Sequence, residues 1–94
     1  MIFEDYNYAI RFASKNGHHK IVILLLKDKR VNPSVCNNWA IQFASKRGYT
    51  EVVKLLLKDE RVNPSANDNE AIQRASKNGH TEIVKLLENY SSII

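Results

Sequence analysis

The chain has 94 residues, 44% hydrophobic and 26% charged, with three glycines, two prolines and one cysteine. That composition is too apolar for a disordered chain and too poor in turn residues for an all-β fold; its single Cys36 leaves no intrachain disulfide and no Cys-based zinc finger. Fourteen basic against ten acidic residues give a net charge of +4, which favours acidic partners over basic ones, although the cations are interleaved with acids rather than gathered in a block.

The longest apolar run, Ile21–Leu26, is far shorter than the ~18 residues of a membrane span. No basic-then-apolar leader opens the chain, so the expected setting is a reducing cytoplasm. Self-similarity organises everything else. Ala9, Ala40 and Ala71 stand 31 residues apart, as do Ile10, Ile41 and Ile72, and Gly17, Gly48 and Gly79. Asn7–Leu26 matches Asn38–Leu57 at 12 of 20 positions, and Asn38–Leu57 matches Asn69–Glu88 at 14 of 20. The connectors Lys27–Asn37 and Lys58–Asp68 share 7 of 11. One domain over residues 1–94 is expected, with repeats at about 6–36, 37–67 and 68–94, the last closing the array as its C-terminal cap.

Each unit reads as two short helices. The first runs from about Tyr8 to Asn16, with copies at Trp39–Arg47 and Glu70–Asn78. Asn7, Asn38 and Asn69 precede it as expected N-caps, and the glycine of each unit ends it. Ala13-Ser14, Ala44-Ser45 and Ala75-Ser76 leave room for close packing. The second helix is expected over His19–Asp28, Thr50–Asp59 and Thr81–Tyr90, with Thr50 and Thr81 as N-caps and Glu51 and Glu82 placed well for the helix dipole. Ile21, Val22, Leu24 and Leu25, with Val52, Val53, Leu55 and Leu56, cover most of a helix surface, so this helix is buried on more than one side. Asn32-Pro33-Ser34 and Asn63-Pro64-Ser65 then force an extended or turned path. No unit of this size buries its own apolar faces; stacking does so.

The pattern resembles ankyrin repeats. The family's Thr-Pro-Leu-His-x-Ala-Ala-x-x-Gly-His-x-x-Val-Val-x-Leu-Leu-Leu core appears as Tyr8-Ala9-Ile10-Arg11-Phe12-Ala13-Ser14, Gly17-His18 and Ile21-Val22-x-Leu24-Leu25-Leu26, and recurs in the next two copies. The Thr-Pro-Leu-His tetrapeptide is absent, and the period of 31 falls short of the usual ~33, which places the loss in the connector. The resemblance implies an all-α solenoid of three stacked helix-turn-helix repeats with shortened connecting loops. It also implies a non-catalytic protein–protein interaction module, an adaptor or decoy, with no cofactor. This short form looks like repeats of giant amoeba viruses and of amoebae, which would make the setting a host cytoplasm and the role a viral one.

Differences among the copies point to surfaces. Phe12 and Phe43 become Arg74, Tyr8 and Trp39 become Glu70, and Leu26 and Leu57 become Glu88, a change expected on the face where a further unit would stack. In the first copy Ile23 replaces Lys54 and Lys85. Ile2, Phe3 and Tyr6 either fold over repeat one or, with Ile23, offer a self-association patch. Along the rim implied by the resemblance stand Lys15-Asn16, Lys46-Arg47 and Lys77-Asn78, with Arg11, Gln42 and Gln73 nearby. They form the candidate contact surface for an acidic or polar protein; the other reading is a solvated charged face. Trp39 belongs to the candidate set, although aromatics at that position are expected mainly to pack between repeats. Nucleic-acid binding along Lys15, Lys46, Arg47 and Lys77 is the alternative, disfavoured because acids interrupt the track.

No residue set looks catalytic. His18 and His80 read as scaffold residues that tie neighbouring loops, and His18-His19 lacks the partners of a metal site. Asp28, Asp59 and Glu60 sit beside cations and read as salt-paired surface. Cys36 has no base in view.

Overall fold

The computed structural model describes the backbone of residues 4–93 and the side chains of residues 6–90. Six helices follow one another: α1 Glu4–Lys15, α2 His19–Leu26, α3 Val35–Arg47, α4 Thr50–Leu57, α5 Ala66–Lys77 and α6 Thr81–Ile93. No strand occurs among the described residues. Successive pairs stack so that α1, α3 and α5 form one layer and α2, α4 and α6 the other. The stack is elongated, 39 × 25 × 20 Å. Small residues set the spacing: Ala13, Ser14, Ala40, Ala44, Ser45, Ala71 and Ala75 are all buried. Ile10, Ile41, Val22, Val52, Val53, Leu56, Ile83 and Leu87 complete one continuous core through the three pairs.

The glycines end the first helices as expected. Gly48 has φ +82°, its N–H donates to Ser45 O, and the next N–H, of Tyr49, reaches back to Ala44 O at 3.0 Å. A second constraint acts there, because a Cβ on Gly48 would lie 2.6 Å from the His80 ring. His80 Nε2 in turn bonds Lys46 O at 3.0 Å, so this histidine does tie one repeat to the preceding one.

Several expected caps are absent. Asn38 does not cap its own helix. Its Oδ1 accepts the backbone N–H of Asn63 at 2.7 Å, and Asn7 Oδ1 accepts that of Asn32 at 2.8 Å, so each asparagine pins the connector that follows its repeat. Nor are Thr50 and Thr81 N-caps. Each is the first residue of its helix; Tyr49 holds the N-cap place of α4, and the Thr81 hydroxyl donates to Gly79 O at 3.4 Å. Glu51 and Glu82 do stand in the first turns. Helix α1 begins at Glu4 rather than Tyr8, α2 and α4 stop at Leu26 and Leu57, and α6 continues past Tyr90 to Ile93.

Before the right-handed parts of α3 and α5 lies a feature with no sequence forecast. Cys36-Asn37-Asn38 and Asn67-Asp68-Asn69 all have φ between +56° and +64°. Each triplet forms a single left-handed turn, closed by Asn38 N–H to Ser34 O at 2.9 Å and Asn69 N–H to Ser65 O at 3.0 Å. Asn and Asp tolerate this region better than other residues with a Cβ, which explains five of the six positions. Cys36 carries the unrelieved cost.

The shortened connectors are tight loops. Asp28 accepts the backbone N–H, Nε and Nη2 of Arg30 at 2.9, 3.0 and 2.7 Å, and Asp59 accepts the same three groups of Arg61 at 3.0, 3.0 and 2.9 Å. These bonds, led by the side-chain ones, pull the Asp28 carboxyl from the ordinary 3.8 down to about 2 and lower that of Asp59. Asn32 and Asn63 turn the chain next, accepting the N–H of Ser34 and Ser65, and Pro33 and Pro64 are buried beneath.

Candidate functional site

Positions 8, 11, 12 and 15 fall on one stripe of α1, opposite the buried face of Ile10, Ala13 and Ser14. Their counterparts on α3 are Trp39, Gln42, Phe43 and Lys46, and on α5 Glu70, Gln73, Arg74 and Lys77. Tyr8 is 57% exposed and Phe12 49%, while Trp39 and Phe43 are half-buried. The aromatic residues expected to pack between repeats therefore form a row on the outer surface of the α1–α3–α5 layer. Tyr8 and Phe12 stand with ring centroids 5.9 Å apart, and Trp39 and Phe43 at 4.6 Å.

Cations are threaded through this row. The Arg11 guanidinium lies 5.7 Å from the Tyr8 ring and 5.8 Å from the Trp39 ring, spanning two repeats. Lys15, Lys46 and Arg47 stand 5.6, 5.1 and 5.0 Å from the Phe43 ring. Contacts of this kind contribute about 0.5–1 kcal/mol each at exposed sites and hold the cationic ends near the apolar surface. Among the described residues, the ion pairs are Arg30–Asp28, Lys54–Glu51, Lys54–Glu82, Arg61–Asp59 and Arg74–Glu70. None includes Arg11, Lys15, Lys46 or Arg47. A groove of about 260 Å³ opens between Trp39, Gln42, Phe43, Lys46 and Arg74.

The third repeat closes the row differently. Glu70 takes the place of Trp39 and pairs with Arg74 in the place of Phe43. The expectation that these substitutions lie on the stacking face needs correction for the first two, since positions 8, 12, 39 and 43 lie on the outer stripe; Glu88, in the place of the half-buried Leu26 and Leu57, does stand at the open end. The residues of repeat three that stacking covers elsewhere are Ile72, Ser76 and Val84: Ile10, Ile41, Ser14, Ser45, Val22 and Val53 are buried, whereas Ile72 and Val84 are half-buried and Ser76 is exposed. These three, with Glu70, Arg74, Lys77 and Glu88, line an open groove of about 720 Å³.

Of the ten candidate contact residues, Arg11, Lys15, Trp39, Lys46 and Arg47 come together on the first two repeats. Lys77 stands apart, beside the end groove. The four amides are engaged within the fold. Gln42 Nε2 donates to Asn37 O at 2.8 Å and Gln73 Nε2 to Asp68 O at 2.5 Å, bracing the left-handed turns. Asn16 Nδ2 donates to Phe12 O and Asn78 Nδ2 to Lys46 O, each at 2.9 Å. The candidate set left out Phe12 and Phe43, and also Tyr8, although Tyr8 shares the position of Trp39. The i, i+4 spacing of Tyr8–Phe12 and Trp39–Phe43, on the stripe that also carries Arg11, Lys15 and Lys46, was the available signal. Ile2 and Phe3, named for self-association, lie outside the described residues.

Among the described residues, no group of three or more His, Cys, Asp or Glu side chains converges as a metal site would require. Nor, among the described residues, is any helix long and apolar enough to cross a membrane. The family model for ankyrin repeats matches residues 10–93, in three copies. The chain belongs to the ankyrin repeat family. No curated protein matches it, and no solved structure does. Ankyrin repeats are in general protein–protein interaction modules, a non-catalytic type. In this ankyrin array the connector that projects in longer repeats is drawn in by Asp28–Arg30 and Asp59–Arg61, which leaves the helical faces as the broad surfaces.

Proposed function

We propose that the chain is an adaptor or decoy that grips an acidic, aromatic-bearing segment of a protein partner along the outer stripe of α1 and α3. One observation carries this reading: Arg11, Lys15, Lys46 and Arg47 converge on exposed and half-buried rings, and among the described residues none of the four is paired to a carboxylate. A segment with carboxylates and a flat apolar side chain satisfies both halves of that surface, its ring entering the groove beside Trp39 and Phe43. The amides of Gln42 and Asn78 hold the backbone behind the site.

Nucleic acid is the rival, since bases stack on aromatic side chains flanked by cations. It requires a cationic track to continue, and the Glu70–Arg74 pair interrupts the stripe at the third repeat. The test uses the single tryptophan, Trp39, as its probe. Titration with a Glu-rich peptide containing Phe should change its fluorescence. The variant with Lys15→Glu, Lys46→Glu and Arg47→Glu should bind at least about tenfold more weakly. Equal binding by both chains overturns the reading. Tighter binding of single-stranded DNA, with a steep salt dependence, transfers the site to nucleic acid.

A further inference from the structure

The end of the stack at repeat one differs from both internal junctions. Val52 and Ile83 are buried against the preceding pair, as are Leu56 and Leu87. Their counterpart Ile21 is 49% exposed and Leu25 is half-buried, and beside them Leu24 is 66% exposed where Leu55 and Leu86 are half-buried. What covers these positions inside the molecule is the second helix of the repeat before: α2 packs on α4, and α4 on α6. The α4–α6 junction is fastened at its edge by Lys54 Nζ to Glu82 Oε2 at 3.7 Å. At repeat one the place of Glu51 and Glu82 is held by Lys20, next to His18 and His19.

The connector side of the same end is already closed. Arg61 Nη1 donates across the internal junction to Val31 O at 2.9 Å. Arg30, its counterpart, donates instead to the Tyr6 hydroxyl at 2.6 Å and lies 4.2 Å from the Tyr6 ring centroid. Among the described residues, Tyr6 thus takes the place of a preceding connector, and Ile21 and Leu24 of α2 stay exposed.

We infer that α2 is a docking face for the second helix of another ankyrin-type repeat, one that carries a carboxylate where this chain carries Lys54 and Lys85. Ile21, Leu24 and Leu25 reproduce the apolar half of a junction formed twice within the molecule. Lys20 reverses its charged half. The repeat that docks there is not the third repeat of a second copy, because head-to-tail stacking of two copies brings Lys85 against Lys20. The inference is independent of the proposed function, which concerns the other layer.

The chain itself can be turned into the partner. A donor carrying Lys85→Glu and Glu88→Leu presents the required helix, and Leu24→Asp in the same donor removes its own docking face. Mixed with the native chain at low salt, it should form a one-to-one complex in sedimentation velocity. Retaining Lys85 in the donor, or placing Lys20→Glu in the acceptor, should each weaken the complex about tenfold, and an acceptor with Leu24→Asp should not bind. The inference is overturned if the donor, folded by circular dichroism, does not bind. It is equally overturned if Lys85 makes no difference, or if the native chain alone assembles through Leu24.

Discussion

Ile41 and Ile72 occupy the same place in consecutive repeats and have the same neighbours in sequence, yet Ile41 is buried and Ile72 only half so. The middle pair, α3 and α4, is covered on both sides. The third pair meets a neighbour on one side and turns Ile72, Ser76 and Val84 toward an open groove. Burial here belongs to the junction and not to the repeat. Each unit is stabilised by the one beside it, as expected of a quasi-one-dimensional array.

Three substitution series probe that contrast, from the largest effect to the smallest. Ile41→Ala opens a cavity between two covered helices and should cost about 3–4 kcal/mol in urea unfolding, whereas Ile72→Ala should cost about 1 kcal/mol, because the groove already admits water. Similar losses at both sites would mean that the open face is covered in solution. Gly48→Ala combines a left-handed φ with a clash against the His80 ring and should lose about 2–3 kcal/mol; Gly79→Ala has φ +78° but nothing within 4 Å of its Cβ and should lose about 1 kcal/mol. Thermal melts of the two variants separate backbone strain from the inter-repeat contact.

The smallest effect is a pH dependence of the connectors. Arg30 holds the Asp28 carboxyl at about 2, below its ordinary 3.8, so between those values the unfolded chain binds more protons than the folded one. The contribution is complete above about pH 4 and is lost as pH falls toward 2. Asp59 is lowered in the same direction by Arg61. Melting temperatures followed across that window should fall, and Asp28→Asn should flatten the fall, because the group with the large shift then no longer titrates there. Both groups lie near the surface, where solvent screening keeps the effect small.

Much of the fold was legible before any coordinate. The glycines and the Asn-Pro-Ser turns act through their own torsions and nearest neighbours, and the paired helices follow from apolar spacing along a short segment. The cap assignments failed for a related reason. Asn38 has an alternative acceptor role 25 residues away, at Asn63 N–H, which local spacing does not reveal. The aromatic row was half legible: its i, i+4 spacing is in the sequence, but whether a Trp at that position packs inward or stands beside Arg11 depends on how two helices lie together.

The amino-acid sequence by itself determined the period, the helix pairs, the glycines that end the first helices, and the family, because these rest on torsional preference and on contacts within a turn or two of helix. Tertiary structure alone decided which identical residues are covered. It also decided that Arg11 and Lys15 of the first repeat lie near rings of the second. Those outcomes depend on distances between segments about 31 residues apart, which are fixed only when the repeats stack.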